Sequence, residues 1–292
     1  MYVINSRGEQ EQFSLQKVER SARRVGANFK LAREIAQQIE RKIYNGIPTF
    51  EIFKEVKDLL NQAQPVFGLK FSLKQAMRDL GPDGFAFEKY AGAIFRAAGY
   101  AVKLNQFISG KCLSQYEIDF IAEKPAESPL GNQAGKAGIL KIGECKYHSQ
   151  ISDLSVDQEI ALANYGRFAD ILQGKFALTK ISQGKKISSI LITNTKFSNR
   201  AIQYSECSGV ELWGWKYPFN KGLEVFIDQN KLYPITILPS FKKQWADIFN
   251  QRNIILAGDI LKLNFERISR ESNIGLAVFN KMAAEAKTLL EG

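Results

Sequence analysis

The sequence predicts a mixed α/β protein whose sheet combines parallel and antiparallel strands and carries helices on its faces. The main observation is that residues 84–239 alternate short apolar strands with helices, in the order helix, three strands, helix, strand, helix, strand. The flanking segments differ: residues 1–62 predict a small hairpin followed by three helices, and residues 240–292 predict helices alone. Residues 63–83 predict a connecting helix, so we expect four segments with boundaries after residues 62, 83 and 239.

The N-terminal hairpin is predicted because two short strands surround the glycine-containing turn Ser6-Arg7-Gly8. Ser14 is a favourable N-cap for the first helix, and Thr49 is one for the third. In the second helix, three isoleucines recur at four-residue spacing and predict a buried face: Ile35, Ile39 and Ile43.

The elements of the central and C-terminal segments follow from periodicity and from turn residues. The central segment predicts helices at 85–98, 155–172 and 199–207, strands at 100–104, 116–122, 140–147, 189–193 and 211–215, and a long loop at 124–138. The C-terminal segment predicts helices near 241–250, 259–268 and 274–290. Its aromatic residues have the spacing of a helical core: Trp245, Phe249, Phe265 and Phe279.

The composition of the chain excludes several classes of function. The chain carries a formal net charge of +10, which favours a polyanionic partner, although a solubilised surface would have the same charge. Three well-separated cysteines exclude a disulfide framework and a zinc ribbon, and a single histidine excludes an H-N-H nuclease. With neither an apolar leader nor an apolar run of about 18 residues, we expect a cytoplasmic protein with no membrane partner.

Strand periodicity brings together the residues that can carry chemistry. Alternation places Asp119 on one face of its strand with Glu117 and Ile121. Ile118 and Phe120 are predicted on the opposite face.

The neighbouring strand contains the sequence Glu144-Cys145-Lys146. Alternation turns Glu144 and Lys146 the same way and Cys145 the other way. If this strand pairs with the strand of Asp119, the two carboxylates converge beside the lysine.

Two close carboxylates repel each other unless a cation neutralises them, and their oxygens prefer a hard cation such as Mg²⁺ or Mn²⁺. A metal lowers the pKa of bound water, and a nearby ammonium stabilises an anionic transition state. The pattern is therefore typical of phosphodiester hydrolysis. The alternative is that these residues are ordinary charges on the exposed face of a sheet.

Five ordered motifs resemble the Mrr-like branch of PD-(D/E)xK restriction endonucleases: 84–90, 117–119, 144–148, 193–197 and 211–215. The resemblance covers residues 80–238 and implies a restriction-endonuclease-like core that cleaves DNA. By the family pattern, Asp119 and Glu144 hold the metal together with the backbone carbonyl of Cys145. Lys146 serves the attacking water, and Glu88 joins through water or a second metal.

Three further residues are candidate DNA contacts: His148, Arg167 and Asn194. Each also has a structural interpretation. His148 can end its strand in solvent, Arg167 can belong to a solvated helix face, and Asn194 can be a turn residue. Glu88 can equally be a surface residue on an amphipathic helix.

The N-terminal segment resembles the ATP-cone of ribonucleotide reductases, through residues 3–8, Glu11, 13–18 and 46–49. The resemblance implies binding of ATP or dATP as an allosteric signal, with Arg7, Glu11, Lys17 and Thr49 as candidate contacts. Asn5-Ser6 stand where that family carries Lys-Arg. Lys17 lies in the first turn of its helix, where a cation opposes the helix dipole and a bound anion would offset the mismatch. The alternative interpretation is that Lys17 is an ordinary surface lysine.

We therefore expect a magnesium- or manganese-dependent endodeoxyribonuclease that acts on double-stranded DNA, is regulated by ATP or dATP, and forms a dimer or higher homo-oligomer. The first alternative is a nucleotide-responsive DNA-binding regulator without cleavage activity. A second alternative is an assembly protein whose N-terminal domain drives oligomerisation.

Overall fold

The computed structural model describes residues 1–81, 84–125, 137–149 and 155–292. The turn predicted at 82–83 and most of the predicted loop at 124–138 lie outside these residues. The chain forms two compact units. The first comprises Met1–Leu80 and Tyr233–Gly292, and the second comprises Gly81–Ser149 and, among the described residues, 155–232.

The N-terminal part of the first unit consists of short strands and helices: β1 (Tyr2–Ile4), β2 (Gln10–Gln12), α1 (Leu15–Arg24), α2 (Phe29–Lys42), β3 (Ile47–Pro48), α3 (Thr49–Ala63), α4 (Pro65–Phe71) and α5 (Leu73–Arg78). The predicted hairpin and its three helices are present. β3 is an additional strand, parallel to β1, that the sequence did not predict. Thr49 is the first residue of α3 and does not cap it, because Pro48 occupies the cap position without a side-chain hydrogen bond.

Capping and periodicity explain these helices. Ser14 accepts a hydrogen bond from the backbone N–H of Lys17 at 3.3 Å, which satisfies one free donor at the start of α1. The isoleucine face of α2 is buried, as predicted, in a core that it shares with Val56 and Leu60 of α3.

The second unit contains the main sheet and its helices: α6 (Phe85–Ala97), β4 (Ala101–Ile108), β5 (Tyr116–Lys124), β6 (Gly138–Lys146), β7 (Ser155–Val156), α7 (Gln158–Leu172), α8 (Lys175–Ser182), β8 (Lys185–Thr193), β9 (Lys196–Phe197), α9 (Asn199–Ser208), β10 (Glu211–Trp213) and α10 (Leu223–Gln229). Five strands form one sheet in the order β10-β8-β6-β5-β4. β4, β5 and β6 pair antiparallel, whereas β6, β8 and β10 pair parallel. This mixed sheet confirms the predicted mixed α/β class.

Helices cover the sheet through apolar contacts. Phe95 of α6 packs against Phe120 of β5, with ring centroids 4.9 Å apart. Ile171 of α7 and Ala177 of α8 are fully buried in a separate cluster with the strand residue Ile142.

Strand alternation is broken at Asp119. The pairing of β4 with β5 omits Asn105 and Asp119 and resumes on either side of them. Asn105 has φ of +50°, in the left-handed region that asparagine tolerates better than most residues. Ile118 consequently packs in the same apolar cluster as Ile121. The prediction that these two isoleucines lie on opposite faces was wrong, because the strand pairing opens between them.

The C-terminal part of the first unit is helical, as predicted, with 3-10 turns at Ile235–Ile237, Lys243–Trp245 and Ala257–Lys262 and the helices α11 (Ala246–Gln251), α12 (Phe265–Ser272) and α13 (Leu276–Glu291). Its core includes the rings of Phe249 and Phe279, which are 6.2 Å apart and buried. Thr236 donates a hydrogen bond to the carbonyl of Ala76 at 2.6 Å, which ties this part to α5. None of the described helices is both long and apolar enough to cross a membrane.

Candidate active site

Asp119 and Glu144 lie on neighbouring strands where the β5–β6 pairing ends. The last backbone pair is Phe120 with Gly143, and the next step of this antiparallel register sets Asp119 opposite Glu144. Asp119 Oδ2 accepts the backbone N–H of Cys145 at 2.6 Å. The carboxylate of Asp119 thus engages the N–H of β6 at the point where the backbone pairing stops.

The surroundings of Asp119 destabilise its ionised carboxylate. Burial raises its pKa to about 6, and the neighbouring charge of Glu144 acts in the same direction. The Cys145 N–H, Lys146 and Arg167 lower the pKa but do not restore it to 3.8. An added cation would relieve the repulsion between the two carboxylates.

Glu144 is buried, with 8% of its surface exposed, and two cations neutralise it. Lys146 Nζ lies 2.7 Å from Glu144 Oε1, while the Arg167 guanidinium donates a hydrogen bond to Oε2. A buried carboxylate requires such partners, because removing a charge from water is costly. Arg167, which the sequence analysis gave as a candidate DNA contact, therefore binds Glu144 directly.

A cavity of about 10 Å³ lies behind Glu144, between β5, β6 and α7. Glu144, Asn164 and Arg167 contribute its polar lining. Asn164 Oδ1 accepts a hydrogen bond from the Ser189 hydroxyl at 2.9 Å. Among the described residues its Nδ2 has no hydrogen-bond partner, although Asn164 is buried. Sequence reasoning missed Asn164; its three-residue spacing from Arg167 on a helix was the available signal.

Glu88 lies in the first turn of α6, and with Asp119 and Glu144 it does not form a three-residue group that could hold a metal ion. Burial raises the pKa of the Cys145 thiol well above its usual range, and nearby carboxylates, among them Glu88, raise it further. Glu88 therefore adds negative potential around Cys145. Within the part of the chain that the structure describes, no three His, Cys, Asp or Glu side chains form a group that could hold a metal ion.

The end of β6 is fixed by residues that follow β8. Asn194 is fully buried, accepts the His148 N–H at 2.9 Å and donates to the His148 carbonyl at 2.9 Å. Its amide is thus committed to the backbone, and the structure does not present it to a DNA surface. The His148 ring lies 3.4 Å from the Thr195 hydroxyl, and burial lowers the pKa of His148.

The candidate nucleotide contacts lie in the first unit. Lys17 Nζ is 3.7 Å from Glu11 Oε2; the lysine side chain is largely exposed and the glutamate side chain is half-buried. Arg7 instead approaches Glu9, with Nε 4.0 Å from Oε2. The structure therefore brings Glu11 and Lys17 together, whereas Arg7 has a different carboxylate partner and Thr49 begins α3.

No protein-family model matches the chain. It is 30% identical over 192 residues to an uncharacterized protein of Archaeoglobus fulgidus, and the match spans 66% of this chain and 95% of that protein. Its fold is similar to the crystal structure of AF1548, a protein of unknown function, with a TM-score of 0.55 and 27% identity over 72% of this chain and all of that one. The chain therefore belongs to the same family as the uncharacterized Archaeoglobus fulgidus protein.

Proposed function

We propose that this protein is a divalent-metal-dependent endonuclease that hydrolyses phosphodiester bonds in double-stranded DNA. The observation that carries the proposal is the proximity of Asp119, Glu144 and Lys146 where the β5–β6 pairing ends: Lys146 Nζ is 2.7 Å from Glu144, and the charges of both residues act on Asp119. Two carboxylates and an ammonium in one partly buried site are the groups that this reaction requires.

The donor set fits a hard cation. Asp119 and Glu144 offer carboxylate oxygens, and the Cys145 carbonyl follows directly in the strand. Mg²⁺ commonly uses one or two carboxylates and keeps several waters, so a group of three acidic side chains is not required. The raised pKa of Asp119 supports the fit, because part of the rise comes from repulsion that a cation would remove. We place metal binding on this pair and leave Glu88 outside the direct ligands.

A bound divalent cation would make a water molecule more acidic and neutralise charge on the scissile phosphate. Lys146 holds its ammonium 2.7 Å from Glu144, where it can orient the attacking water and donate to a phosphate oxygen. Asp119 must be ionised for this role, and the Cys145 N–H holds its carboxylate in place. The net charge of +10 supports a polyanionic substrate.

Regulation by ATP or dATP is a separate part of the proposal. Its support is the resemblance of the N-terminal segment to the ATP-cone, together with the exposed Lys17 beside Glu11. The Asn5 amide donates to Glu9 and Glu11 at 2.9 and 2.8 Å, where the resembling family carries a lysine. Calorimetric titration of ATP and of dATP into the full chain tests this part, with Lys17→Ala as the variant. Absence of heat from both nucleotides would remove regulation and leave the nuclease proposal intact.

A DNA-binding regulator without cleavage activity is the second candidate. The observation that favours it is the neutralisation of Glu144 by Lys146 and Arg167, which balances its charge without a metal. Such a protein would retard DNA in a gel and leave it uncut with every divalent cation.

The test that separates the two candidates is plasmid nicking by the purified chain with Mg²⁺ or Mn²⁺. We expect nicking by the wild type and none by Asp119→Asn, which keeps the acceptor for the Cys145 N–H but removes the charge. Glu117→Gln is the matched control, because Glu117 is an exposed acid on the same strand. Equal cutting by Asp119→Asn and wild type would reject the proposed site.

A further inference from the structure

Arg167 differs from Lys146 in how it reaches Glu144. Lys146 lies two residues from Glu144 on the same strand, and its side chain is 36% exposed. Arg167 reaches across from α7 on a long side chain that remains 31% exposed. Both cations can turn toward solvent without a change in β6, but of the two only Arg167 lines the cavity behind Glu144 together with Asn164, whose amide can take its place on the carboxylate.

The four charged groups nearest the carboxylate pair balance one another in the absence of a metal, and Glu88 adds a further negative charge near Cys145. Asp119 and Glu144 bring two negative charges, and Lys146 and Arg167 bring two positive ones. A divalent cation between the carboxylates would leave an excess of positive charge in a partly buried place. Its binding is therefore favoured when one of the resident cations moves to another anion.

The cavity behind Glu144 shows a second donor for the same carboxylate. Asn164 Nδ2 is buried, has no partner among the described residues, and lines this cavity with Glu144 and Arg167. A buried amide without a partner is costly in a native protein. A hydrogen bond to a Glu144 oxygen, directly or through one water, would satisfy it once the guanidinium has left.

Resting on the proposed nuclease function, we propose that Arg167 is an exchangeable counter-ion of Glu144. It neutralises the carboxylate in the metal-free protein and moves to a DNA phosphate when a divalent cation binds the carboxylate pair. The planar guanidinium suits both partners, since it forms paired hydrogen bonds with carboxylates and with phosphates.

The exchange makes metal and DNA binding cooperative. Without DNA the guanidinium competes with the metal, and without metal it is held away from the phosphate. Because coupling between two sites is reciprocal, each ligand tightens the other by the same factor. The protein would therefore bind its divalent cation mainly when it is also bound to DNA.

The test measures Mn²⁺ affinity of the full chain by calorimetry, which needs no turnover. Without DNA, Arg167→Gln should bind Mn²⁺ about tenfold more tightly than wild type, within the range typical of coupled sites. Arg167→Lys keeps the charge and should resemble wild type. Arg200→Gln is the matched control, because Arg200 is an exposed arginine on α9 of the same unit.

A second measurement uses the wild type alone, so it does not depend on the folding of a variant. Stopped-flow polarisation of a labelled 20-base-pair duplex, read before turnover, should show about tenfold tighter DNA binding with Mn²⁺ than with EDTA. Arg167→Gln should lose most of this gain. In the presence of Mn²⁺, the slope of log DNA affinity against log salt concentration should be smaller for Arg167→Gln than for wild type, by an amount that corresponds to about one phosphate contact.

The outcomes separate this inference from the function on which it rests. Equal or weaker Mn²⁺ binding by Arg167→Gln, with clear binding by wild type, rejects the exchange and leaves the nuclease proposal standing. Tighter binding by both Arg167→Gln and Arg167→Lys shows that size, not charge, controls the site, and also rejects it. Failure of wild type and variants alike to bind Mn²⁺ at millimolar concentration, with and without DNA, rejects the nuclease proposal itself.

Discussion

Replacing Asp119 with asparagine should make the metal-free protein more stable at neutral pH, although it removes a residue of the site. The raised pKa means that the folded state destabilises the ionised carboxylate. Asparagine has no charge to destabilise, and its oxygen can still accept the Cys145 N–H. The substitution should therefore relieve repulsion without breaking the contact that holds the side chain.

The magnitude follows from the shift of the pKa from 3.8 to about 6. About two units correspond to about 3 kcal/mol at most, and solvent screening at the partly exposed carboxylate lowers the expected gain to about 1–3 kcal/mol. The direction in which stability changes with pH follows from the linkage between proton binding and folding. The folded state binds the proton more tightly, so wild-type stability falls as pH rises from 3.8 through 6 and is then constant. The advantage of Asp119→Asn should be full at pH 8 and about half of that at pH 5.

Urea unfolding measures this difference. Trp213 and Trp215 lie in the second unit, and a Trp245→Phe background removes the tryptophan of the first unit from the signal. A variant that is no more stable than wild type at pH 8, or whose advantage is the same at pH 5 and pH 8, would refute the electrostatic account of Asp119.

Three further predictions concern the packing of β6, the side chain that holds its end, and the ionisation of Asp119. Gly143→Ala should destabilise the protein by about 1–3 kcal/mol in urea unfolding, because an added Cβ would lie 2.1 Å from the Phe120 ring; an unchanged midpoint would contradict this packing. Asn194→Ala should cost about 1–3 kcal/mol, because the part-buried backbone N–H and carbonyl of His148 lose their partner, and a stability equal to wild type would mean that water replaces the amide. In the proposed nuclease, kcat/KM at low metal concentration should rise with pH up to about 6 and level off above it, as Asp119 loses its proton; a rate independent of pH from 5 to 8 would contradict a required carboxylate that titrates near 6.

The convergence of Asp119 and Glu144 was predictable because it depends on local information. Both strands are apolar apart from their charged positions, and the antiparallel register of β5 and β6 sets the two acids opposite each other. Lys146 was predicted from alternation within β6, which turns it to the same face as Glu144, and the structure places its ammonium against Glu144.

The opening of β5 at Asp119 was not predictable in the same way. It depends on the left-handed backbone of Asn105 in the neighbouring strand and on a side-chain contact to the backbone of β6. Neither feature changes the hydrophobic pattern of β5. Strict alternation therefore placed Ile118 on the wrong face, although β5 and β6 were both predicted.

Long-range contacts limited the sequence analysis in two other places. The pairing of Arg167 with Glu144 joins residues 23 apart on a helix and a strand, and helix periodicity does not specify which strand residue an arginine meets. Likewise, the C-terminal helices share a compact unit with residues 1–80 because of contacts such as Thr236 with Ala76. Composition contains no signal for that association.

The central claim is that Asp119 and Glu144 together bind a divalent cation. Anomalous diffraction from crystals of the full chain soaked in Mn²⁺, collected at the manganese edge, tests it most directly. The account predicts one peak about 2.1–2.3 Å from a carboxylate oxygen of each residue, and its loss in Asp119→Asn. A soaked crystal with no peak between the two carboxylates, or with a peak that persists in the variant, would contradict it.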